Sequence, residues 1–585
     1  MKRLVALSQV GLVPYLATAV LAVIAYLYGL DGRFIPKNGD ESVYFHILRL
    51  TASSGSWLPL QSDLDHMRNT KPPMLYWQGI VSTHWGRDWN LWALRLPSVA
   101  YSFATAILVY LLGSRLSPYD ERSREGVQSG VIAALIFLAS FSTFRYGRPF
   151  LTNAPEVFWL FLPFFLLLYT GRAAFESHWA MPLAIGVTMG VGLLYKSFAL
   201  AAPMGFGLAW WYWHDQNYRL SAFIARDSSK LIVIAALSLS IFSLWFALDP
   251  DPMSIWQEFV VGENAEKFNA EKGYLRTMLW GGSSIWSLAL NYPLNTGLLA
   301  LPVLGLAVIS WRRRHDLSRA EQLLWLWMIA LFIVFSLPSQ RSGRYLLPAM
   351  PALAVLLALR WRQLSRWLFV ATLLLSAAVL LFIGYLSLQL HQSLPASPYP
   401  LNHWLLLLVS VVVIGFGIAS RPDSAPAALA SVFLVYLCFG SAARPLDGEL
   451  GQFKSDAVAA TTGNDVWVPC NFRAAYEAHR FSLPGANVLG YSDADEPSVQ
   501  QLSERYALFT VRVPINEPAL SEPYRCDGCQ LIGERLDIKS RHTPQQIDAM
   551  LAGRVFEHLF VRERLFRSSK RALVAHSSGT LSECR

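Results

Sequence analysis

With 585 residues, 54% of them hydrophobic and only 15% charged, the chain has too little polar surface for an ordinary soluble globule. The formal charge of +9 calls for no nucleic-acid partner, because a large share of the Lys and Arg sits in short loops where membrane topology places them.

About thirteen runs of roughly 16–22 mostly apolar residues have the length of membrane spans. They lie near 10–30, 92–113, 129–143, 154–171, 179–195, 197–213, 230–248, 294–310, 322–337, 344–359, 367–388, 402–420 and 425–443. The first run is expected to be a span rather than a cleaved signal peptide, since no A-x-A-like site follows it. If the start, with Lys2 and Arg3, is cytoplasmic, every second loop should be basic. The loops carrying Arg115, Arg122 and Arg124, then Arg172, Arg219, Arg226 and Lys230, Arg312 to Arg314, Arg360 to Arg366, and Arg421 follow that alternation. An odd number of spans places the tail outside. The expected division is a membrane domain over 1–443, with outer loops at 31–91 and 249–293, and a soluble domain over 444–585.

The first outer loop opens with "NGDESVYFHILRL", two adjacent acids ahead of apolar residues at helical spacing. Asn38 or Asp40 could simply cap a helix carrying Val43, Ile47 and Leu50. The same loop holds Asp40, Glu41, Lys71 and Arg95 among aromatic residues, and its apolar segments 43–50 and 73–85 are too short to span. They are expected to lie in the membrane surface, the second anchored by Trp77 and Trp85. A further surface helix is expected in "DPDPMSIWQEFVVGENAEKF" of the second outer loop.

The tail loses the long apolar runs. "DVWVPC", "ALFTVRV" and "HLFVRERLF" have strand character and "TPQQIDAMLAG" helix character, which predicts a small α/β or α+β domain. Cys470, Cys526, Cys529 and Cys584 fall in it. In an oxidising compartment four cysteines suggest two disulfides with three possible pairings; zinc is the competitor for "CDGC", without a His at the usual spacing.

"DE" opening a surface helix, then "SGSWLPL", "NTKPPMLYW" and "RLP", followed in order by "GRPFLTNAPEVFWL", "LLYKSFALAAP", "GENAEKF" and "RYLLPAMPALA", resembles the polyprenyl-phosphate-sugar glycosyltransferases of the GT-C fold class. The likeness is to the lipid A 4-amino-4-deoxy-L-arabinose transferase family and the related protein mannosyltransferases, over about residues 1–440. It implies a polytopic α-helical inner-membrane protein with a periplasmic C-terminal domain. The implied reaction moves a sugar from undecaprenyl phosphate to lipid A or another envelope acceptor. Asp40 matches the family's first-loop aspartate and Lys71 its lysine, with Glu41 as a supporting acid. Arg95, Arg148, Asn153, Glu156, Lys196, Glu263, Asn264, Arg341, Arg344 and Tyr345 are the expected substrate-binding residues.

Three positions depart from the family pattern. Thr70 stands where an acid usually precedes the lysine, Asn153 where a second aspartate opens the fourth span, and Asn264 where a histidine follows Glu263. The acid and the histidine are the pair the resemblance associates with a bound divalent metal. With Thr70 and Asn264 at those positions no cofactor is assigned, and a divalent metal stays open as the alternative.

A lipid phosphate leaving group needs fixed cations near the membrane surface, where low dielectric strengthens them. A secondary transporter would instead hold ionisable groups within its spans and show repeated halves. An O-antigen ligase or polymerase would share the lipid chemistry without the DE, KPP and RLP series. A protein O-glycosyltransferase of the same fold remains an alternative acceptor class.

Overall fold

The computed structural model describes residues 11–33, 39–64, 66–171, 179–264, 274–394, 396–470, 474–492, 497–517, 524–539 and 542–569. Asn38 and Cys584 lie outside them. The chain first enters a helix α1, Val13–Leu27, and then the outer-loop helices α2, Gly39–Ser54, and α3, Met74–Ser82. Both outer-loop helices fall where short apolar segments were expected. Asp40 lies inside the first turn of α2 rather than ahead of it.

The membrane part continues through α4 (Leu91–Arg115), α5 (Arg124–Ala139), α6 (Phe141–Gly147) and α7 (Asn153–Thr170) to the long helices Arg366–Ser393, Leu401–Ala419 and Ser424–Asp447. Among the described residues, eight helices are long and apolar enough to cross a membrane, or ten if each bent pair is one span. The expected count of about thirteen spans is not reached among the described residues. The shortfall comes from short apolar helices, Val13–Leu27 and Ala180–Tyr195, and from breaks such as the 102° bend between Met278–Asn295 and Gly297–Arg312. Close approach of α4 to α5 depends on glycine: a Cβ on Gly113 would sit 2.8 Å from the Ala133 Cβ.

After Asp447 the chain builds a five-stranded mixed sheet in the order β2-β1-β3-β5-β4. The strands are β1, Asp465–Cys470; β2, Asn487–Ser492; β3, Leu508–Pro514; β4, Cys529–Ile538; and β5, Phe560–Ser568. The β1 strand runs parallel to β2 and β3, whereas β5 is antiparallel to β3 and β4. Cys526 and Cys529 form one disulfide and Cys470 is also disulfide-bonded.

Two cores result. The first fills the helical bundle. The second joins Val43, Ile47 and Leu48 of α2 and Leu75 of α3 to Val466, Val468 and Leu483 of the C-terminal domain, so the outer-loop helices are packed between membrane helices and sheet. Phe45 marks this junction, its ring 5.8 Å from that of Phe150 and 5.5 Å from that of Phe481.

Candidate active site

The first turn of α2 delivers Asp40 to a cavity of about 280 Å³. Its walls include Asp40, Tyr44, Thr70, Lys71, Lys196, Glu263, Arg344 and Tyr345. Tyr44 follows Asp40 by four residues, one helical turn on the same face. That spacing was readable in the sequence, but Tyr44 was masked by its place in an apolar run.

Within the cavity the charges are paired. Nη1 of Arg344 donates to Oδ2 of Asp40 at 2.7 Å, and its guanidinium carbon lies 5.1 Å from the centroid of the Tyr146 ring. Lys71 lies 3.3 Å from Oε2 of Glu263 and donates to its neighbour's carbonyl, Thr70 O, at 2.7 Å. Lys196 follows helix Ala180–Tyr195 and donates to Oε2 of Glu156 at 2.7 Å, with the Tyr345 ring centroid 5.9 Å from its Nζ. Glu156 is fully buried in α7 and also accepts from Nδ2 of Asn153 at 3.3 Å. Asn153 Oδ1 in turn accepts from Nη2 of Arg344 at 3.4 Å. One network therefore runs from Asp40 through Arg344, Asn153 and Glu156 to Lys196.

Four other expected site residues are engaged elsewhere. Arg95 donates from Nε to Glu41 Oε1 and from Nη2 to Glu41 Oε2, each at 2.8 Å, and Glu41 Oε1 also accepts the Phe150 N–H at 2.7 Å. Arg95 further reaches the carbonyls of Leu30 and Gly32. Arg148 donates to Tyr26 O at 3.1 Å and to Tyr28 O, while Arg341 donates to Ser336 O at 2.8 Å and Ser283 O at 2.9 Å. Their cations anchor carbonyls at chain bends, and none of the four lines the cavity.

The two outer loops are tied together at its edge. Asn69 N–H donates to Glu258 Oε2 at 2.7 Å, and Arg68 lies 3.3 Å from Asp249. Glu258 and Glu263 belong to a π-helical segment, Trp256–Asn264, a conformation frequent at functional sites. Asn264 ends it with both polar atoms of its amide engaged: Oδ1 accepts from Ser197 Oγ at 2.8 Å and Nδ2 donates to Phe259 O at 2.7 Å.

The residues present do not fit the metal implied by the resemblance. Thr70 Oγ1 is 3.3 Å from the Tyr76 hydroxyl, Asn264 is committed as above, and both side chains are neutral. No group of three His, Cys, Asp or Glu is placed to hold an ion among the described residues.

Residues 36–259 match the family model described as dolichyl-phosphate-mannose-protein mannosyltransferase. A protein of Proteus mirabilis named undecaprenyl phosphate-alpha-4-amino-4-deoxy-L-arabinose arabinosyl transferase 2 is 26% identical over 459 residues, covering 74% of this chain and 77% of that one. The corresponding transferase of Erwinia tasmaniensis is 28% identical over 347 residues, and the match spans only 56% of its length and 57% of this chain. The crystal structure of ArnT from Cupriavidus metallidurans bound to undecaprenyl phosphate superposes with a TM-score of 0.59 at 16% identity, over 96% of this chain and 99% of that one. The chain has the GT-C fold and resembles its polyprenyl-phosphate-sugar transferases. The family match contains Asp40, Lys71, Glu156 and Lys196; Glu263, Arg344 and Tyr345, which complete the cavity, come from beyond it.

Proposed function

We propose that this chain is a polyprenyl-phosphate-sugar glycosyltransferase, transferring a sugar from an undecaprenyl-phosphate-type donor to lipid A or another envelope acceptor. The observation that carries it is the 2.7 Å pair of Asp40 and Arg344 in a cavity that also presents Lys71 and Lys196. The names of the curated relatives give the donor class, with 4-amino-4-deoxy-L-arabinose as the first sugar to test. The alternating basic loops support an inner-membrane protein with a cytoplasmic start and a periplasmic C-terminal domain.

In this reading Lys71 and Arg344 face the donor phosphate, where fixed cations stabilise the charge that develops as the anomeric carbon–oxygen bond breaks. The acceptor oxygen forms the new bond to that carbon and the polyprenyl phosphate leaves with the bonding pair. Asp40 takes the proton of a hydroxyl acceptor, or orients an acceptor that is already an anionic phosphate. Lys196, Glu263 and Tyr345 surround the sugar and the phosphate, while Asn153 and Glu156, expected from the sequence to bind substrate, are buried outside the cavity lining and hold Arg344 and Lys196 from behind. Glu41, Arg95, Arg148, Arg341 and Asn264 shape the cavity from behind.

The test is mass spectrometry of lipid A, core polysaccharide and envelope proteins from cells lacking the gene, complemented with wild type or Asp40→Asn. One sugar mass should vanish from a defined acceptor and return only with wild type. Loss of a hexose from proteins would place the acceptor among protein hydroxyls, the reading favoured by the family model's description. Unchanged glycans with a lipid intermediate or solute accumulating on one side of the membrane would overturn the transferase reading.

A further inference from the structure

Glu477 belongs to the C-terminal domain, in the helical turn Ala475–Phe481, yet its carboxylate is buried against α2, the helix that carries Asp40. Its Oε1 accepts from His46 Nδ1 at 2.8 Å and from Arg49 Nη2 at 2.7 Å, and its Oε2 accepts from Arg480 Nε at 2.7 Å. The second ring nitrogen of His46, Nε2, lies 2.7 Å from Oδ1 of Asp63, in the loop after α2. A neutral imidazole donates from one nitrogen only, whereas the imidazolium donates from both. A fully buried ring with a carboxylate oxygen at each nitrogen fits the imidazolium.

The groups facing His46 are Asp63, Glu477 and the Tyr476 hydroxyl at 3.3 Å, with Arg49 and Arg480 balancing Glu477. Burial opposes the charged ring, but the hydrogen bonds to Asp63 and Glu477 outweigh it, and His46 titrates above its ordinary 6.5. Asp40 lies six residues earlier on the same rigid helix, about 9 Å along its axis, and its bond to Arg344 depends on where α2 sits.

We propose that His46, held between Glu477 and Asp63, is a proton-dependent clamp through which the C-terminal domain fixes α2 and thereby positions Asp40. This rests on the transferase reading above, and it makes His46, Glu477 and Asp63 positioning residues. The clamp is complete below the ordinary histidine value of 6.5. It is lost as pH rises through the raised value, when one ring nitrogen stops donating.

The test uses the full chain in lipid vesicles with undecaprenyl-phosphate-linked aminoarabinose as donor and lipid A as acceptor, recording the pH profile of kcat and, in parallel, amide hydrogen exchange of α2. Asp63→Asn removes one of the two carboxylates from a partly exposed position. The alkaline limb of kcat and the exchange midpoint of α2 should move together to lower pH. The kcat of the low-pH plateau should stay within about fivefold of wild type, the ceiling for an ion pair with an exposed partner. Asp63→Glu should restore both, which a general loss of folding would not. Transfer with neither midpoint displaced in Asp63→Asn or in Glu477→Gln would overturn the clamp and leave the transferase reading standing. A displaced exchange midpoint in a protein that transfers no aminoarabinose would overturn that donor and keep the clamp.

Discussion

Arg95 and Lys71 are both cations of the first outer loop, and their neighbourhoods give them different work. Arg95 is buried with both arms of its guanidinium on Glu41, so its removal strands a carboxylate in low dielectric. Arg95→Ala should cost about 3–5 kcal/mol, the usual price of breaking a buried pair from one side. A fall in thermal stability and in yield of monodisperse protein would be the readout. Lys71 lines the cavity and its partner Glu263 is about one-third exposed, so Lys71→Ala should leave the fold intact. Its effect belongs on the reaction: transfer should fall by about 10²–10³-fold, the range for removing one preorganised charge-stabilising donor. Steady-state kinetics alongside a melting curve separates the two outcomes.

Among the elements, α2 and α3 set the spacing of Asp40 and Lys71. They meet at Gly79, where an added Cβ would lie 2.9 Å from the Phe150 ring and against the Leu48 side chain. Overpacking of this kind typically costs about 1–3 kcal/mol. Gly79→Val should therefore lower the melting temperature and, by displacing α3 from α2, reduce transfer more than the same loss of stability elsewhere in the bundle does. Gly305→Val, which overpacks the helix Ala300–Arg312 against the Leu364 and Leu368 side chains away from α2 and α3, is the matched control. Equal loss of activity in both variants would show that the spacing of the helices does not matter to the reaction.

The helical bundle and the C-terminal sheet are held together by apolar packing and by buried charge. Burial alone would raise the Glu477 carboxyl, but hydrogen bonds from His46 and Arg49 and the charges of Arg49 and Arg480 take it from 4.5 down to about 2. A carboxylate depressed in the folded state stabilises above its unfolded value and loses that contribution as pH falls toward its folded one. Docking of the C-terminal domain should therefore weaken between pH 4.5 and about 2. Limited proteolysis near residue 450 over that range is the measurement, with Glu477→Gln weakened already at neutral pH.

Hydropathy was enough to mark the chain as a multi-pass membrane protein, because a span must be apolar along its whole length whatever its neighbours are, but it did not fix the number of spans, since bends and short helices are set by packing. Three of the five strands of the tail and the helices α2 and α3 were legible for a related reason, that their periodicity is local, but the burial of α2 under the sheet was not. Asp40 and Lys71 could be singled out because their motifs are contiguous. Which of six basic candidates meet at one cavity was not legible, since Arg344 reaches Asp40 across 304 positions of sequence and Arg148 reaches Tyr26 across 122. Chain bends decide whether a guanidinium finds a carbonyl, a buried acid or open space. The union of Glu477 with His46, 431 residues apart, was likewise beyond any pattern in the sequence. Local composition determined that this chain enters a membrane and carries acids and bases in its two long loops; only the packing of α2 between the bundle and the sheet decided which of those charges face the cavity.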